Sequence, residues 1–330
     1  MSSPRIGPFR QGMNNRRPDY DLALGRDEGG GHLLRNAVNV DVTDQGKPRR
    51  RPGYARVQPV LNCDSLWSPV HGRYALYADA GDVFMLEPVG DALARKQVAS
   101  GFGRVAPVSF AEVHEAVYFT DGARVGSFHP TAGPTPRWLP GFGIQLGDQR
   151  LDAMPAGQVV AFHRNRTLVA VDAVLFYSEP FTPHLHDPAK GWMQFPARID
   201  LVVPVEGGVF VCADRTYFLP GGLPAQSTVE VLPHGAVPGS AAILPEDERV
   251  CWMSTKGLVV GDSDGSARNV QEKHIAQGAA VSGATAFRDR NGLQQVVSTL
   301  FDQDSTHAGV GSFAAAALVR KGNGHANPIS

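Results

Sequence analysis

Hydrophobic and polar positions along this chain recur as one unit. A short apolar run meets a tight polar turn, and a second run rich in aromatic and β-branched residues follows. Five copies stand out: residues 74–86 (YALYADAGDVFML), 116–128 (AVYFTDGARVGSF), 167–177 (TLVAVDAVLFY), 208–219 (GVFVCADRTYFL) and 250–260 (VCWMSTKGLVV). A weaker copy surrounds Asn291-Gly292. The turn markers Gly81, Gly122, Asp172, Asp214, Gly257 and Gly292 are spaced by 41, 50, 42, 43 and 35 residues. A period of about 40–50 residues made of strands, with no helical pattern between, predicts an array of propeller blades. A blade packs neighbours on both faces, so it needs apolar residues at every second position. Val117 and Phe119, and Val209 and Val211, meet that need. Asp121-Gly122 and Lys256-Gly257 are turn dipeptides that supply positive φ. The fold class expected is all-β: a β-propeller of five or six blades with an extended N-terminal arm.

The repeat divides the chain into an arm (1–53), a propeller (54–301) and a C-terminal tail (302–330). The arm has no sustained period of 3.6 or 2. One strand is expected at residues 37–42, where Val38, Val40 and Val42 alternate with Asn39 and Asp41, and Thr43-Asp44-Gln45-Gly46 reads as the turn after it. Residues 131–147, rich in proline, read as a loop insertion. Residues 180–196 and 221–239 are further irregular stretches, placed where loops carry partner contacts. Helix is expected only weakly, at 91–99 and at 314–320 (AAAALVR), and residues 322–330 read as frayed.

Composition fits a turn-rich β protein: 37 Gly and 25 Pro in 330 residues, with 42 % hydrophobic residues to supply a core. The formal net charge of −1 excludes a polycation that coats nucleic acid. The charge is unevenly spread, however. Residues 1–60 hold eleven Lys/Arg against six acids, and the excess of acids lies in the remainder. A basic arm that meets an acidic neighbour follows. Three cysteines without paired spacing argue against a disulfide framework and for a reducing cytoplasm. No apolar run is long enough to span a bilayer, and the first residues lack the apolar stretch of a secretory signal.

Candidate chemistry is sparse. His184 and His186 form an H-x-H beside Asp187, but with no third ligand nearby they read as loop histidines. Glu28-Gly29-Gly30-Gly31-His32 lacks the Gly-Lys-Ser/Thr of a phosphate cradle and reads as a hinge. Arg49, Arg50 and Arg51 read either as a clamp on phosphate or acidic side chains, or as a solvated run at the entry to the first blade. The sequence holds neither G-x-S-x-G nor H-E-x-x-H. No catalytic, cofactor-binding or metal-binding residue is therefore expected. Trp67 and Trp252 read as blade filling. Trp138 and Trp192, in irregular loops, read as contact residues.

Two stretches resemble a known family. Gly12-Met13-Asn14-Asn15, then Leu34-Arg35-Asn36-Ala37-Val38-Asn39-Val40-Asp41, then Gly46-Lys47-Pro48-Arg49-Arg50-Arg51-Pro52-Gly53-Tyr54 form an opening similar to that of phage tail hub (nozzle) or packaged-DNA stabilisation proteins. Asn165-Arg166, Tyr177-Ser178-Glu179-Pro180, Pro183-His184, Phe195-Pro196 and Val205-Glu206-Gly207-Gly208-Val209-Phe210 resemble the same group. The resemblance implies a virion structural protein, made in the host cytoplasm and placed in the tail. It implies a ring of six copies below the portal and adaptor proteins, which extends the DNA channel and retains packaged double-stranded DNA until ejection. The DNA would pass without sequence-specific contact. Tail fibre or tailspike proteins would be further partners. Asn14, Asn15, Arg35, Asn36, Arg49, Arg50, Arg51, Trp138 and Trp192 are the partner-binding residues expected. Alternatives are a minor tail or baseplate protein of a long-tailed phage, and a ligand-binding or enzymatic propeller.

Overall fold

The computed structural model describes most of residues 63–301, shorter stretches between residues 9 and 51, and the backbone of Ser312–Leu318. Among the described residues every named element is a β-strand. Five antiparallel sheets have four strands each, in sequence order across the sheet. Blade I is Cys63–Trp67, Ala75–Asp79, Asp82–Val89 and Ala92–Ser100. Blade II is Ser109–Val113, Ala116–Thr120, Val125–His129 and Gly133–Thr135. Blade III is Val159–His163, Arg166–Val171, Val174–Tyr177 and Trp192–Gln194. Blade IV is Leu201–Val205, Gly208–Cys212, Thr216–Pro220 and Val229–Leu232. Blade V is Ala242–Leu244, Arg249–Ser254, Gly257–Gly261 and Ala267–Asn269. A sixth sheet follows, formed by Ser282–Arg290, Leu293–Phe301 and Ser312–Leu318. First strands lie side by side between blades II and III, between blades III and IV, and between blade V and the last sheet, as they do around a propeller axis. The molecule is a β-propeller.

The second strand of each blade shows why the fold follows from the sequence. Its side chains alternate between two blade interfaces. In blade II, Val117 and Phe119 pack toward blade I with Leu76 and Met85, while Tyr118 packs toward blade III with Val160 and Val169. In blade IV, Val209 and Val211 join Leu168 and Leu175, while Phe210 and Cys212 join Trp252 and Val259. In blade V, Cys251 and Met253 join Val296 and Leu300 of the last sheet. A strand buried on both faces cannot afford polar alternation, so it reads as a continuous apolar run. Phe119, Phe210 and Trp252 are fully buried. Each such side chain contributes about 2–3 kcal/mol by leaving water.

Five turn markers, Gly81, Gly122, Asp172, Asp214 and Gly257, fall between second and third strands. Gly81, Gly122 and Gly257 have φ of +93°, +88° and +115°, and Asp172 has +50°. Two expectations are corrected. The stretch 91–99 reads as a weak helix, yet Ala92–Ser100 is the fourth strand of blade I, paired from Asp82↔Ser100 to Val89↔Ala92. Residues 314–320 were read as a helix, yet Ser312–Leu318 is a strand paired with Leu293–Phe301. In both, the partner strand's hydrogen bonds outweigh alanine's helix preference. The proline-rich insertion is also more ordered than expected. It supplies Gly133–Thr135 to blade II and Ile144–Leu146 to a small sheet with Gln149–Ala153 and Leu185–His186. The hinge at residues 29–31, the Asn291-Gly292 turn and the frayed end at 322–330 lie outside the described residues.

Arm strand Val40–Val42 pairs with Pro48–Arg50 across the expected turn. Met13 bridges Leu34 in parallel, and the Phe9 N–H donates to Gly46 O at 2.7 Å. The Asp41 carboxylate accepts from Arg51 Nε at 2.9 Å and from Gln295 Nε2 at 3.4 Å. Through Gln295 the hairpin is attached to the last sheet of the propeller.

Candidate interaction surface

The arm and blade V build one basic platform from two asparagine-capped turns. Asn14 Oδ1 accepts from the backbone N–H of Arg16 (3.1 Å) and of Arg17 (3.0 Å). Asn269 Oδ1 accepts in the same way from Gln271 and Glu272, each at 3.0 Å. Such turns form because a short amide side chain reaches N–H groups two and three residues on. The two turns are stitched together. The Asn15 N–H donates to His274 O at 3.0 Å, and Arg16 Nε donates to Ile275 O at 3.0 Å. Arg35 Nη1 donates to Arg17 O at 3.3 Å, which brings the second arm segment to the same place. Arg16, Arg17, Arg35 and Lys273 are exposed on this platform. Lys256 stands beside them, paired with Glu272 at 3.4 Å.

The expected contact residues divide. Asn15, Arg35 and Asn36 lie on or next to the platform, and Arg49 and Arg50 are exposed on the arm hairpin. Trp192 is 45 % exposed on the outer strand of blade III. Three of them are turned inward in the chain. Asn14 is 1 % exposed, and its side-chain oxygen holds the turn. Arg51 turns back onto Asp41, with only 16 % of its side chain exposed. Trp138 is 2 % exposed, stacked on Tyr118 at 5.0 Å, and its indole donates to Gly126 O at 2.8 Å. A large ring with a satisfied N–H in the blade II–III interface is core. Sequence reasoning missed Arg16, Arg17, Lys256 and Lys273. The signal was the pair Asn14…Arg16-Arg17 and Asn269…Glu272-Lys273, but the two halves are more than 250 residues apart.

The remaining candidates have structural surroundings. His186 is buried in the small sheet with its ring edge-on to Phe176 at 5.4 Å. Burial lowers the pKa of both His184 and His186. Among the described residues no three His, Cys, Asp or Glu side chains gather as a metal cage. None of the three cysteines forms a disulfide. Cys63 is exposed, while burial pushes the Cys212 and Cys251 thiols up to about 12. No helix of the described residues is long and apolar enough to cross a membrane.

No family model and no curated protein matches the chain. Solved structures similar to it include the AfRom2 CNH domain, with 11 % identity and a TM-score of 0.45, over 78 % of this chain and 85 % of that one. BBS1N in complex with ARL6DN shares 11 % identity with a TM-score of 0.48, over 79 % and 83 %. The Pan2 WD40 domain of Neurospora crassa shares 11 % with a TM-score of 0.43, over 71 % of each chain. Likeness this distant carries nothing about binding or activity, and the propeller assignment rests on the sheet topology.

Proposed function

We propose that this chain is a virion structural protein: a tail hub (nozzle) subunit of a short-tailed phage, acting by shape and assembly and not by catalysis. Copies form a six-fold ring that extends the DNA channel below the portal and adaptor and retains packaged DNA until ejection. One observation carries the reading. Residues of the opening that resembles this family, Gly12, Asn14, Asn15 and Leu34, are the ones whose backbone groups tie the arm to itself and to blade V. The tie leaves Arg35, Asn36, Arg49 and Arg50 facing outward. A rigid body with an anchored basic arm suits subunit-to-subunit assembly.

The test is the assembly state of the purified full chain, followed by electron microscopy. Rings with a mass about six times 35.3 kDa are expected. A stable monomer that binds a small ligand at the mouth of the propeller overturns the reading.

A further inference from the structure

Blade V is electrically polar from end to end. Its strands are antiparallel, so the turns after its first and third strands share one end. The turn after its second strand and the connection leaving its fourth share the other. At the first end, Glu248 sits in one turn, and Asp262 and Asp264 sit in the other. Glu206 of blade IV joins them, because the Gly207 N–H donates to Ser263 O at 2.9 Å. Hydrogen bonds from Ser266 hold the Asp264 carboxyl below the usual range, so it stays charged. At the opposite end lies the basic platform of Arg16, Arg17, Arg35 and Lys273. Strands of five and six residues separate the two, a span of about 17–20 Å.

We propose that the basic platform of one copy docks on the acidic end of blades IV and V of the next, in a head-to-tail contact between copies of this chain. The proposal rests on the reading of the chain as a ring subunit and names the surfaces that join it. The occupant follows from charge complementarity within one molecule. A two-fold contact through either end would set like charges together, whereas a head-to-tail contact matches them. Exposed pairs are individually weak, and salt screens them beyond about 8 Å. As a set they fix which face meets which and the register of the contact. The platform is suited to this because its two capped turns hold the cations at fixed spacing before any partner arrives.

The experiment is a charge swap read by sedimentation velocity on the full chain. One variant is Arg17→Glu with Lys273→Glu, and the other is Glu206→Lys with Glu248→Lys. All four residues are exposed, and the turn holds Arg17 by its backbone N–H. Each double variant is expected to weaken self-association about tenfold or more with an unchanged melting temperature. The fourfold swap is expected to recover wild-type association to within about threefold. A 1:1 mixture of the two double variants should also assemble. Double variants that assemble like wild type, or a fourfold swap that fails to recover, overturn the proposal. If those variants still form rings by electron microscopy, the ring reading survives and this contact alone falls. A wild-type chain that stays monomeric at low salt ends both. Loss of duplex DNA binding by Arg17→Glu with Lys273→Glu, at unchanged sedimentation, shows that the platform reads phosphate and also overturns the contact.

Discussion

At the scale of single residues, two glycines separate backbone strain from crowding. Gly122 holds φ +88°, and a Cβ there meets no described heavy atom within 4 Å. Gly257 holds φ +115°, and a Cβ there would lie 2.9 Å from Gln271 Cβ. Gln271 is buried, and its Oε1 accepts from the Leu258 N–H at 3.1 Å, so it cannot move aside cheaply. Gly122→Val should therefore cost about 1 kcal/mol from conformation alone, and Gly257→Val about 2–3 kcal/mol. Urea midpoints of the two variants check this, and equal losses contradict it. A histidine gives the pH dependence. His163 Nε2 donates to Gly221 O at 3.2 Å, and burial lowers its pKa, with Arg164 acting in the same sense. The folded state thus prefers the neutral ring, while the unfolded ring takes its proton near pH 6.5. The chain should lose stability as pH falls below about 6.5, and the loss continues until the folded ring titrates. His163→Gln keeps a donor but cannot titrate, so its midpoint should fall less between about pH 7.5 and 5.5. An identical fall in both proteins rules the residue out as a source.

At the scale of elements, the last sheet depends on a strand from beyond the repeat. Ser312–Leu318 pairs along Leu293–Phe301, with a register shift between Val296 and Ser298. Ending the chain at residue 311 should leave Leu293–Phe301 as an open edge. Lower thermal stability and salt-insensitive aggregation are expected, measured by melting and light scattering. A truncated chain that melts like the full one would show that the strand adds nothing. The same strand marks the limit of what the sequence discloses. Second and third strands were legible, because both are buried and a tight turn joins them, as at Ala116–Thr120 and Val125–His129. Fourth strands were not. Trp192–Gln194, Val229–Leu232 and Ala267–Asn269 are short and largely solvent-facing, so neither alternation nor apolar runs mark them. Ala92–Ser100 carries helix-forming residues that only its partner strand holds extended. The pairing of Asp152 with His186 spans 34 residues and leaves no local trace. The basic platform was only partly legible for the same reason: Arg35 could be read as a contact residue, whereas its meeting with Arg16, Arg17 and the turn after blade V is a product of the fold.

At the scale of the whole molecule, the arm and the propeller should be separable in stability but not in assembly. The five clusters found between sheets among the described residues draw all their members from residues 74–300. The Asp41–Arg51 pair and its hydrogen bond to Gln295 lie outside residues 1–36. Deleting residues 1–36 removes Leu22 and Leu33, two small buried patches, together with the Asn15 and Arg16 bonds to blade V. No blade interface loses a member. The deleted chain should unfold in a single transition only a few degrees below the full one. Its self-association should fall further than that of Arg17→Glu with Lys273→Glu, because Arg16, Arg17 and Arg35 leave together with the capped turn that positions them. Sedimentation and calorimetry on the same preparation separate the two effects. Unchanged assembly would make the arm dispensable, and a collapse in melting temperature would make it part of the core.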